Sequence, residues 1–395
     1  MSAPLAGLRV LELGVMIAVP AATHILAGYG AEVIKIEEHT VGDTLRFFGS
    51  NRGGMSGWFV NANWGKRSLA LDIKSVEGQK LLTQLIGSAD VLVEGFRTGV
   101  MERLGFGYES VCKINPDIIY CSSSGYGPIG PYAGLPVYDP LIQALTGWAG
   151  VQKQEGKPTL VRAMVADKVG AYTNAQAIMA ALIKKERTGE GSHVNVSMLE
   201  ANLAFVWPDV MMDHTLLEGD ATHLPNLLAS YRLYECRDGQ VAIAAGADHH
   251  WQAMCDALGP SYYEDERFHT AAGRGAHIAA WMDACDDMVT SYTVFEVVTK
   301  LRDADVPVAP VLAPEDVHTD TQIDSADMLP ISDHAAVGRI RHPQPASVFF
   351  GERTRLMDAP RHGEHTIELM QELGLNSDVI EALLKAGVVV QAEPL

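Results

Sequence analysis

Paired cysteines, an apolar membrane span and an excess of positive charge are all missing from this sequence. Its five cysteines are odd in number, widely spaced and without a CxxC pair, so neither a disulfide framework nor a zinc site is predicted. No apolar run reaches the roughly 20 residues that cross a bilayer, and the first residues lack the basic start and apolar core of a signal peptide. We therefore expect a cytoplasmic protein without a metal site.

Positive charge is scarce, because 30 lysines and arginines face 49 aspartates and glutamates, giving a formal net charge of −19. A surface of that sign repels nucleic acid and anionic lipid. No nucleic-acid partner and no membrane partner is therefore predicted. A local basic pocket for an anionic cofactor remains compatible with this balance.

The common nucleotide and nucleophile motifs are also absent. No GxGxxG stands between the first predicted strand and helix, and no GxxxxGK[ST] occurs, which disfavours dinucleotide and P-loop enzymes. The pair His249–His250 has no third ligand at a metal-binding spacing. Residues 122–125 do not form a GxSxG nucleophile elbow. A serine hydrolase and a metalloenzyme are therefore both disfavoured.

What the sequence does contain is alternation of strands and helices. Residues 8–13 and 31–37 are apolar, β-branched runs separated by a helical segment at 18–29, a pattern typical of a parallel βαβ unit. Similar units continue to about residue 124. The predicted fold class is α/β, and the glycine- and proline-rich residues 125–134 are predicted to form a loop near a site.

The pattern changes in the second half of the chain. We predict a large α/β domain at residues 1–205, a linker at 206–225, a small α+β domain at 226–314 and a return to the large domain at 315–395. The small domain begins with a strand pair at 231–245 that turns at Asp238-Gly239. Residues 307–311, with two prolines, are interpreted as an interdomain hinge.

One carboxylate stands out as a candidate for chemistry. Asp167 opens an alanine-rich stretch that predicts a helix over residues 167–187. A carboxylate at a helix N-terminus is oriented and kept ionised by the unpaired N–H groups and the helix dipole. An oriented carboxylate can act as a nucleophile. Position alone favours a simple helix cap.

Basic residues cluster near predicted strand ends and turns of the first half. They are Lys66, Arg67, Lys74, Arg97 and Arg103. Cations at such places suit phosphate groups, and Phe96 is available to stack on a base. Ordinary surface ion pairing is the alternative for each residue taken singly. Together they favour a nucleotide-like anionic ligand.

Ordered motifs along nearly the whole chain carry a family resemblance. They include GAEVIKIE at 30–37, NWGKRS at 63–68, VEGFR at 93–97, SGYG at 124–127 and RTGEG at 187–191, with Tyr138-Asp139 and the Asp167 helix between the last two. In these motifs the chain resembles the class III CoA-transferases, or CaiB/BaiF family, which include formyl-CoA:oxalate and carnitine CoA-transferases.

The resemblance implies a reaction and a fold. Asp167 matches the family's nucleophile, which passes CoA from an acyl-CoA donor to a carboxylic acid acceptor through an aspartyl anhydride and an aspartyl-CoA thioester. CoA is then a substrate, and no tightly bound cofactor is implied. The family's fold is a large Rossmann-like domain built from both chain ends plus a smaller α+β domain, in an interlocked homodimer.

The resemblance also implies binding residues. The CoA contacts map to Val15, Ile17, Ala18, Leu71, Lys74, Gly95, Phe96, Arg97, Arg103, Val137 and Tyr138. The substrate pocket maps to Trp58, Tyr138 and Asp139. No metal ligand is implied.

Several positions depart from the oxalate-using members of the family. Ile17 replaces a glutamine, Trp58 a tyrosine and Glu38 an arginine, and residues 223–230 do not match the glycine-rich loop that covers the oxalate site. A larger or less polar acyl group than formyl or oxalyl is therefore the hypothesis for this chain.

Two other functions fit parts of the pattern. The α-methylacyl-CoA racemases share the fold, but they carry a histidine before the aspartate that matches Asp139, and here that position is Tyr138. An un-ionised tyrosine is a poor base near neutral pH. A CoA-binding protein without catalysis is the second alternative, and the presence of Asp167 in its motif disfavours it.

Overall fold

A parallel βαβ unit opens the chain, as the alternation predicts. Strand β1 (Arg9–Leu13) leads into helix α1 (Ala18–Gly28) and strand β2 (Glu32–Glu37), and β1 pairs with β2 in parallel. The computed structural model describes residues 3–219, 227–349 and 351–394. The chain divides into two compact units, Met1–Thr215 with Leu329–Leu395, and Leu216–Met328.

The first unit continues the alternation of strands and helices. Its next elements are β3 (Asn51–Arg52), β4 (Met55–Ser56), α2 (Gly57–Asn63), β5 (Lys66–Leu71), α3 (Val76–Gly87), β6 (Val91–Glu94), α4 (Val100–Arg103), α5 (Tyr108–Ile114) and β7 (Ile119–Ser124). They are followed by α6 (Asp139–Leu145), α7 (Trp148–Val151), β8 (Lys153–Gln154), β9 (Lys157–Pro158), α8 (Val165–Thr188), β10 (Ser192–Ser197) and α9 (Met198–Val210).

The second unit is mainly helical and has a small sheet. Its elements are β11 (Leu233–Cys236), β12 (Gly239–Ile243), α10 (Asp248–Leu258), α11 (Ala271–Ala276), α12 (Ile278–Thr290), α13 (Val294–Asp303), β13 (Val308–Pro310) and α14 (Thr321–Ser325). The chain then returns to the first unit with β14 (Ile331–His334), β15 (Gly338–Arg341), α15 (Thr366–Glu372), α16 (Ser377–Lys385) and β16 (Val389–Val390).

The central sheet of the first unit has seven strands in the order β10-β7-β6-β1-β2-β5-β16. The first six are parallel, and β16 joins β5 as an antiparallel edge strand. The mixed α/β class predicted from the alternation is confirmed. The chain proceeds outward from β1 in one direction and then from β6 in the other, so the strand order reverses between β1 and β6. Ligands of doubly wound sheets bind at such a switch point, beyond the carboxyl ends of the strands.

Helices cover both faces of this sheet because successive strand residues point to opposite sides. On one face Leu11, Ile34 and Leu92 pack in a core with side chains of α3, α15 and α16. On the other face Val10, Val33 and Val91 pack in a core with side chains of α1 and α8. Both faces are covered, which explains why every residue of the inner strands β5 and β6 is buried.

Helix α8 begins at Val165, two residues before the position predicted from the sequence. Met164 is the N-cap residue and has no capping side-chain hydrogen bond, so Asp167 occupies the third helical position. The interpretation of Asp167 as the cap itself is therefore wrong. The helix ends as predicted at Gly189, whose φ of 73° is a left-handed conformation that glycine adopts without steric cost.

The second unit contains the predicted strand pair, since β11 and β12 are antiparallel and joined at Asp238-Gly239. The hinge interpretation of residues 307–311 is wrong, because Val308–Pro310 form β13 and pair with β12 inside this unit. The predicted small-domain limits, 226 and 314, fall within its range. Residues 220–226, at the end of the predicted linker and at the start of the segment matched to the glycine-rich loop, lie outside the described residues.

Within the described part of the chain no helix combines the length and the apolar composition needed to cross a bilayer.

Candidate active site

A cleft lies beyond the carboxyl ends of β1, β6 and β7, beside the switch point of the sheet. Its volume is about 260 Å³, and it is lined by Val15, Gly95–Thr98, Ser124–Gly127 and Gly134–Tyr138. The lining segments are the loops that follow the three strands, including the glycine- and proline-rich loop predicted to border a site.

Two glycines allow close backbone packing beside the cleft. A Cβ on Gly125 would lie 1.8 Å from Cγ1 of Val137, which is in the same loop between β7 and α6, and a Cβ on Gly95 would lie 2.8 Å from Cγ2 of Val19 on α1. A larger residue at either position would displace these neighbours. The glycines in the motifs VEGFR and SGYG therefore have a packing role at the cleft.

Part of the predicted CoA-binding set lines the cleft. Its members there are Val15, Gly95, Phe96, Arg97, Val137 and Tyr138. The other predicted residues lie around it: Ile17 packs beside the cluster of Leu45, Phe59 and Trp64, and Ala18 packs beside Ile142, Ala166 and Met198. Leu71 is buried at the end of β5, in the core on one face of the sheet.

The basic residues divide into two groups. Lys74, Arg97 and Arg103 are exposed, and within the described ranges none of their side chains forms an ion pair. Lys66 is fully buried against Glu12, with 2.7 Å between Nζ and Oε2, and Arg67 is paired with Glu32, Glu368 and Glu372. The prediction that Lys66 and Arg67 belong to a phosphate-binding cluster is therefore wrong, because their charges are already neutralised.

Trp58, predicted in the substrate pocket, lies at the start of α2 and is 46% exposed. Its ring is 6.4 Å from that of Phe48. Phe59, the next residue, packs with Met55 in the cluster that Ile17 joins. Trp58 is therefore an exposed aromatic next to the core that supports the loop after β1.

Asp167 and Asp139 meet at the starts of two helices. Asp139 is the first residue of α6 and is 6% exposed, and its Oδ2 accepts a hydrogen bond of 3.0 Å from the backbone N–H of Asp167. The Asp167 side chain is half-buried, and no hydrogen bond to its carboxylate exists in the described part of the molecule. Val137 and Tyr138, which precede Asp139, line the cleft. The Asp167 carboxylate therefore stands close to the cleft with its oxygens unengaged.

The electrostatics of Asp167 differ from the expectation. Burial, together with the nearby charge of Asp139, raises the pKa of Asp167 from 3.8 to about 7. Desolvation penalises the charged form. The prediction that the helix end keeps Asp167 ionised is therefore not confirmed, because burial and the charge of Asp139 both favour the protonated carboxyl group.

A glutamine holds Asp139 in place. Nε2 of Gln143 donates to Oδ1 of Asp139 at 2.5 Å and to the carbonyl oxygens of Val161 and Ala163 at 3.2 Å each. Oε1 of Gln143 accepts from the N–H of Val161 at 2.9 Å. One buried amide thus joins α6 to the segment that enters α8, and it fixes the carboxylate that faces Asp167.

Sequence reasoning missed two parts of the site. Asn202 on α9 donates to the carbonyl oxygen of Ala166 at 3.1 Å and accepts from Trp148 at 3.0 Å, which fixes the start of α8 from a third helix. Glu94 is buried at the end of β6, where burial raises its pKa to about 7. The sequence does contain one signal for the role of Asn202, which is a polar residue inside the largely apolar helix α9. The burial of Glu94 has no such local signal in the sequence.

Metal chemistry has no visible site in the described residues, because they contain no group of three or more His, Cys, Asp or Glu side chains that could hold an ion. All five cysteines are free thiols, and four of them are buried.

Known proteins are similar to this chain in both sequence and fold. The model of CoA-transferase family III matches residues 5–366. The acetyl-CoA:oxalate CoA-transferase of Acetobacter aceti is 36% identical over 320 residues, which cover 78% of this chain and 81% of that protein. The succinate–glutarate CoA-transferase of Agrobacterium fabrum is 30% identical, covering 94% of this chain and 96% of that protein.

A solved structure gives the same result for the fold. The crystal structure of a CaiB/BaiF family protein from Brucella suis superposes with a TM-score of 0.82 and 29% identity, covering 94% of this chain and 100% of that one. With the matching family model, this shows that the chain belongs to CoA-transferase family III. The family resemblance seen in the sequence motifs is confirmed, and the protein is an enzyme of the class III CoA-transferase type.

Proposed function

We propose that this enzyme moves CoA from an acyl-CoA thioester to a carboxylic acid by covalent catalysis at Asp167. The observation that carries the proposal is the Asp167 carboxylate, half-buried at the start of α8, unengaged by hydrogen bonds in the described residues and next to the cleft at the sheet switch point. Such a carboxylate is a competent nucleophile toward an acyl carbon.

In the proposed first half-reaction, an Asp167 oxygen attacks the thioester carbonyl carbon of the donor. The C–S bond breaks, CoA leaves as the thiolate, and an acyl-aspartyl anhydride remains. The thiolate then attacks the aspartyl carbonyl carbon. The donor acid leaves as its carboxylate, and Asp167 carries CoA as a thioester.

The second half-reaction reverses these steps with the acceptor. The acceptor carboxylate attacks the aspartyl-CoA carbonyl, the thiolate leaves, and a second anhydride forms. The thiolate attacks the acceptor acyl carbon, which produces the new acyl-CoA and regenerates the Asp167 carboxylate. The free energy of the thioester is retained only if water is kept away, which favours a desolvated site such as the one that raises the pKa of Asp167.

The proposed CoA position follows from the cleft and its cations. The residues with this role are Val15, Ile17, Ala18, Leu71, Lys74, Gly95, Phe96, Arg97, Arg103, Val137 and Tyr138. The exposed side chains of Lys74, Arg97 and Arg103 suit phosphate groups because no internal carboxylate occupies them in the described structure. The acyl group is assigned to the side of Trp58, Tyr138 and Asp139.

The substrates we propose are a dicarboxylyl-CoA donor and an acid less polar than oxalate. Ile17 and Trp58 present apolar surface where the oxalate-using relatives have polar residues, and one relative is named for succinate and glutarate. A screen of acyl-CoA donors against a panel of carboxylic acids tests this assignment. Exclusive use of formyl-CoA with oxalate would contradict it.

The nucleophile is tested with Asp167→Asn and the control Glu186→Gln, an exposed carboxylate at the far end of the same helix. We expect Asp167→Asn to abolish CoA exchange and Glu186→Gln to retain it. Hydroxylamine treatment of the wild-type enzyme with donor, followed by peptide mass analysis, should modify Asp167. Unchanged exchange in Asp167→Asn would refute the mechanism.

The racemase alternative is tested by incubating the enzyme with one enantiomer of a 2-methylacyl-CoA in deuterated water, without an acceptor acid. No histidine lines the cleft in the described structure, and Tyr138 is 66% exposed. We therefore expect no α-deuteration. Deuterium incorporation at the rate of turnover would favour the isomerase.

We also propose a cytoplasmic homodimer with interlocked chains. Exposed apolar side chains on three helices of the first unit support association: Leu141 and Leu145 on α6, Val151 on α7, and Phe205 and Trp207 on α9. Light scattering should give twice the 42.7 kDa chain mass. Mixing tagged and untagged dimers should yield hybrids only after unfolding, whereas rapid hybrid formation would rule out interlocking.

A further inference from the structure

The turn between β1 and α1 borders the cleft, and it is held from beneath by buried charged side chains. Asp43 is fully buried and stands before the short 3-10 helix Thr44–Phe47. Its Oδ1 accepts hydrogen bonds from the N–H groups of Met16 at 3.1 Å and Leu45 at 2.9 Å. One oxygen of Asp43 therefore joins the turn to a segment 27 residues away in sequence.

Lys35 holds the same turn through a second atom. Its buried Nζ donates to the carbonyl oxygen of Gly14 at 2.8 Å and to Oε1 of Glu12 at 2.6 Å, and it lies 2.9 Å from Oδ2 of Asp43. The two backbone groups that flank Val15 are therefore both bound by side chains. Lys35 on β2 binds the carbonyl oxygen of Gly14, and Asp43, which follows β2, binds the N–H of Met16.

The turn needs this support because of its backbone conformation. Met16 has a φ of 65°, the left-handed region that residues with a Cβ rarely adopt. Helix α1 starts at Ala18 without a side-chain cap, so no local capping side chain fixes the turn. Unfavourable backbone conformations of this kind persist only where surrounding contacts impose them.

The charges beneath the turn are balanced. Glu12 and Asp43 face Lys35 and Lys66, and all four side chains are fully buried. A buried ion pair replaced as a whole by apolar side chains is tolerated far better than the loss of one partner. The group therefore permits a charge-balanced substitution that removes both contacts to the turn.

The position of the turn matters for the ligand. Val15 lines the cleft, and Ala18, just after the turn, packs beside Ala166, the neighbour of Asp167. A turn that relaxes to an ordinary conformation would move both residues. The cleft and the start of the Asp167 helix would then no longer be held together on this side.

We propose that Asp43 and Lys35 are positioning residues for CoA binding, which hold the Gly14–Ala18 turn in its left-handed conformation without touching the ligand. The inference rests on the proposed assignment of the cleft to CoA. It predicts an effect on CoA and acyl-CoA binding that is separate from the chemistry at Asp167.

The test uses the charge-balanced double variant Asp43→Ala with Lys35→Met. We expect its dissociation constant for CoA, measured by titration calorimetry, and its KM for acyl-CoA to rise about tenfold, as a modest conformational cost implies. The KM for the acceptor acid should change less than about twofold, since the turn contacts the CoA side of the cleft.

Adding Met16→Gly to the double variant should recover most of the affinity, because glycine adopts the left-handed conformation without steric cost. Leu383→Ala, which weakens the core on α16 away from the cleft, serves as the control for lost stability and should leave both KM values unchanged. No recovery by Met16→Gly, or an equal rise of both KM values, would overturn the proposal.

A single variant covers the case in which the double variant does not fold. Asp43→Asn retains an oxygen that can accept from Met16, so its affinity for CoA should stay within about threefold of the wild type. A larger loss that Met16→Gly does not reverse would also overturn the proposal. Titration with CoA tests the positioning role even if the enzyme does not transfer CoA by the proposed mechanism. The activity of Asp167→Asn tests that mechanism separately.

Discussion

Asp167 combines two requirements that oppose each other. The proposed nucleophile must be ionised, yet burial and the charge of Asp139 raise its pKa to about 7. A desolvated carboxylate is more reactive than a hydrated one, but a smaller fraction of it carries the charge. In the proposed mechanism, the site would therefore lose some ionisation of Asp167 but gain reactivity and protection of an anhydride from water.

This balance predicts the pH dependence of the reaction. The kcat/KM for acyl-CoA should rise with pH and level off above about 7, as Asp167 loses its proton. In Asp139→Asn the rise should move to lower pH, without reaching the ordinary value of 3.8, because burial remains. Initial rates from pH 5 to pH 9 measure the rise and the plateau in the wild type and in Asp139→Asn. A profile unaffected by Asp139→Asn would show that Asp139 does not influence the nucleophile.

The raised pKa of Asp167 also predicts that ionisation of this residue destabilises the folded protein as the pH rises. A carboxyl group whose pKa is higher in the folded than in the unfolded state costs stability as pH rises from 3.8 to about 7. Asp167→Asn should therefore raise the melting temperature at pH 8 more than at pH 5. Thermal unfolding at the two pH values gives the comparison, with Glu186→Gln as the exposed control on α8. A gain that is equal at both values would contradict the assigned pKa.

At the scale of elements, the shape of the cleft depends on a loop after β7 that folds back on itself at a glycine. Gly125→Ala would place a methyl group 1.8 Å from Val137, so the loop after β7 must move. We expect the KM for acyl-CoA to rise several-fold, with a loss of about 1–3 kcal/mol in the free energy of unfolding from overpacking. Steady-state kinetics and urea denaturation measure these effects.

Gly150→Ala is the matched control for this substitution. Gly150 lies in α7, where an added Cβ would meet nothing within 4 Å and the backbone has an ordinary φ. This variant should keep the wild-type KM. If both variants behave alike, the close approach of Gly125 and Val137 has no role in binding.

Much of the element order was predictable, because apolar strand runs and an alanine-rich helix are local signals. The start of α8 was predicted two residues late, since Asn202 and Gln143, from distant segments, bind the carbonyl oxygens of Ala166 and Ala163 around that start. The burial of Lys66 in an ion pair with Glu12 could not be predicted for a similar reason. Its partner Glu12 lies 54 residues away in sequence, and only the sheet order brings them together.

The site shows the same division between local and distant information. The motif that contains Asp167 is visible in the sequence, and it carried the family resemblance. The pKa of Asp167 depends on burial and on Asp139, which is 28 residues away, and no spacing rule connects the two. The hinge interpretation of residues 307–311 failed because proline at a sheet edge looks the same in sequence as proline in a connector.

On the scale of the whole molecule, the buried Arg46 pairs with Glu37 and also contacts the carboxyl-terminal part of the first unit. Burial opposes ionisation of Glu37, but Arg46 outweighs it and lowers the pKa of Glu37 from 4.5 to about 2. Arg46 also donates to the carbonyl oxygen of Pro360 at 3.1 Å. This contact connects the segment after β2 to the returning carboxyl-terminal part.

The pair predicts an acid-sensitive fold. A carboxyl group with a lowered folded pKa contributes its full stability above pH 4.5 and loses it as the pH falls toward about 2. Glu37→Gln should reduce stability at pH 7 and make it depend less on pH between those values. Urea denaturation across this range tests the prediction. An acid limb as steep as that of the wild type would assign the sensitivity to other carboxylates.

The outermost strand of the central sheet, β16, has implications for synthesis of the protein. Val389–Val390 pair with β5, whereas Leu216–Met328 form a unit of their own between the two parts of the first unit. Since a growing chain emerges from its amino terminus, the inserted unit can fold before the ribosome has finished. The six parallel strands of the large sheet are complete by Ser197, and only the edge strand β16 must wait for nearly the last residues, so a nascent chain stopped before β16 would leave β5 as an open edge.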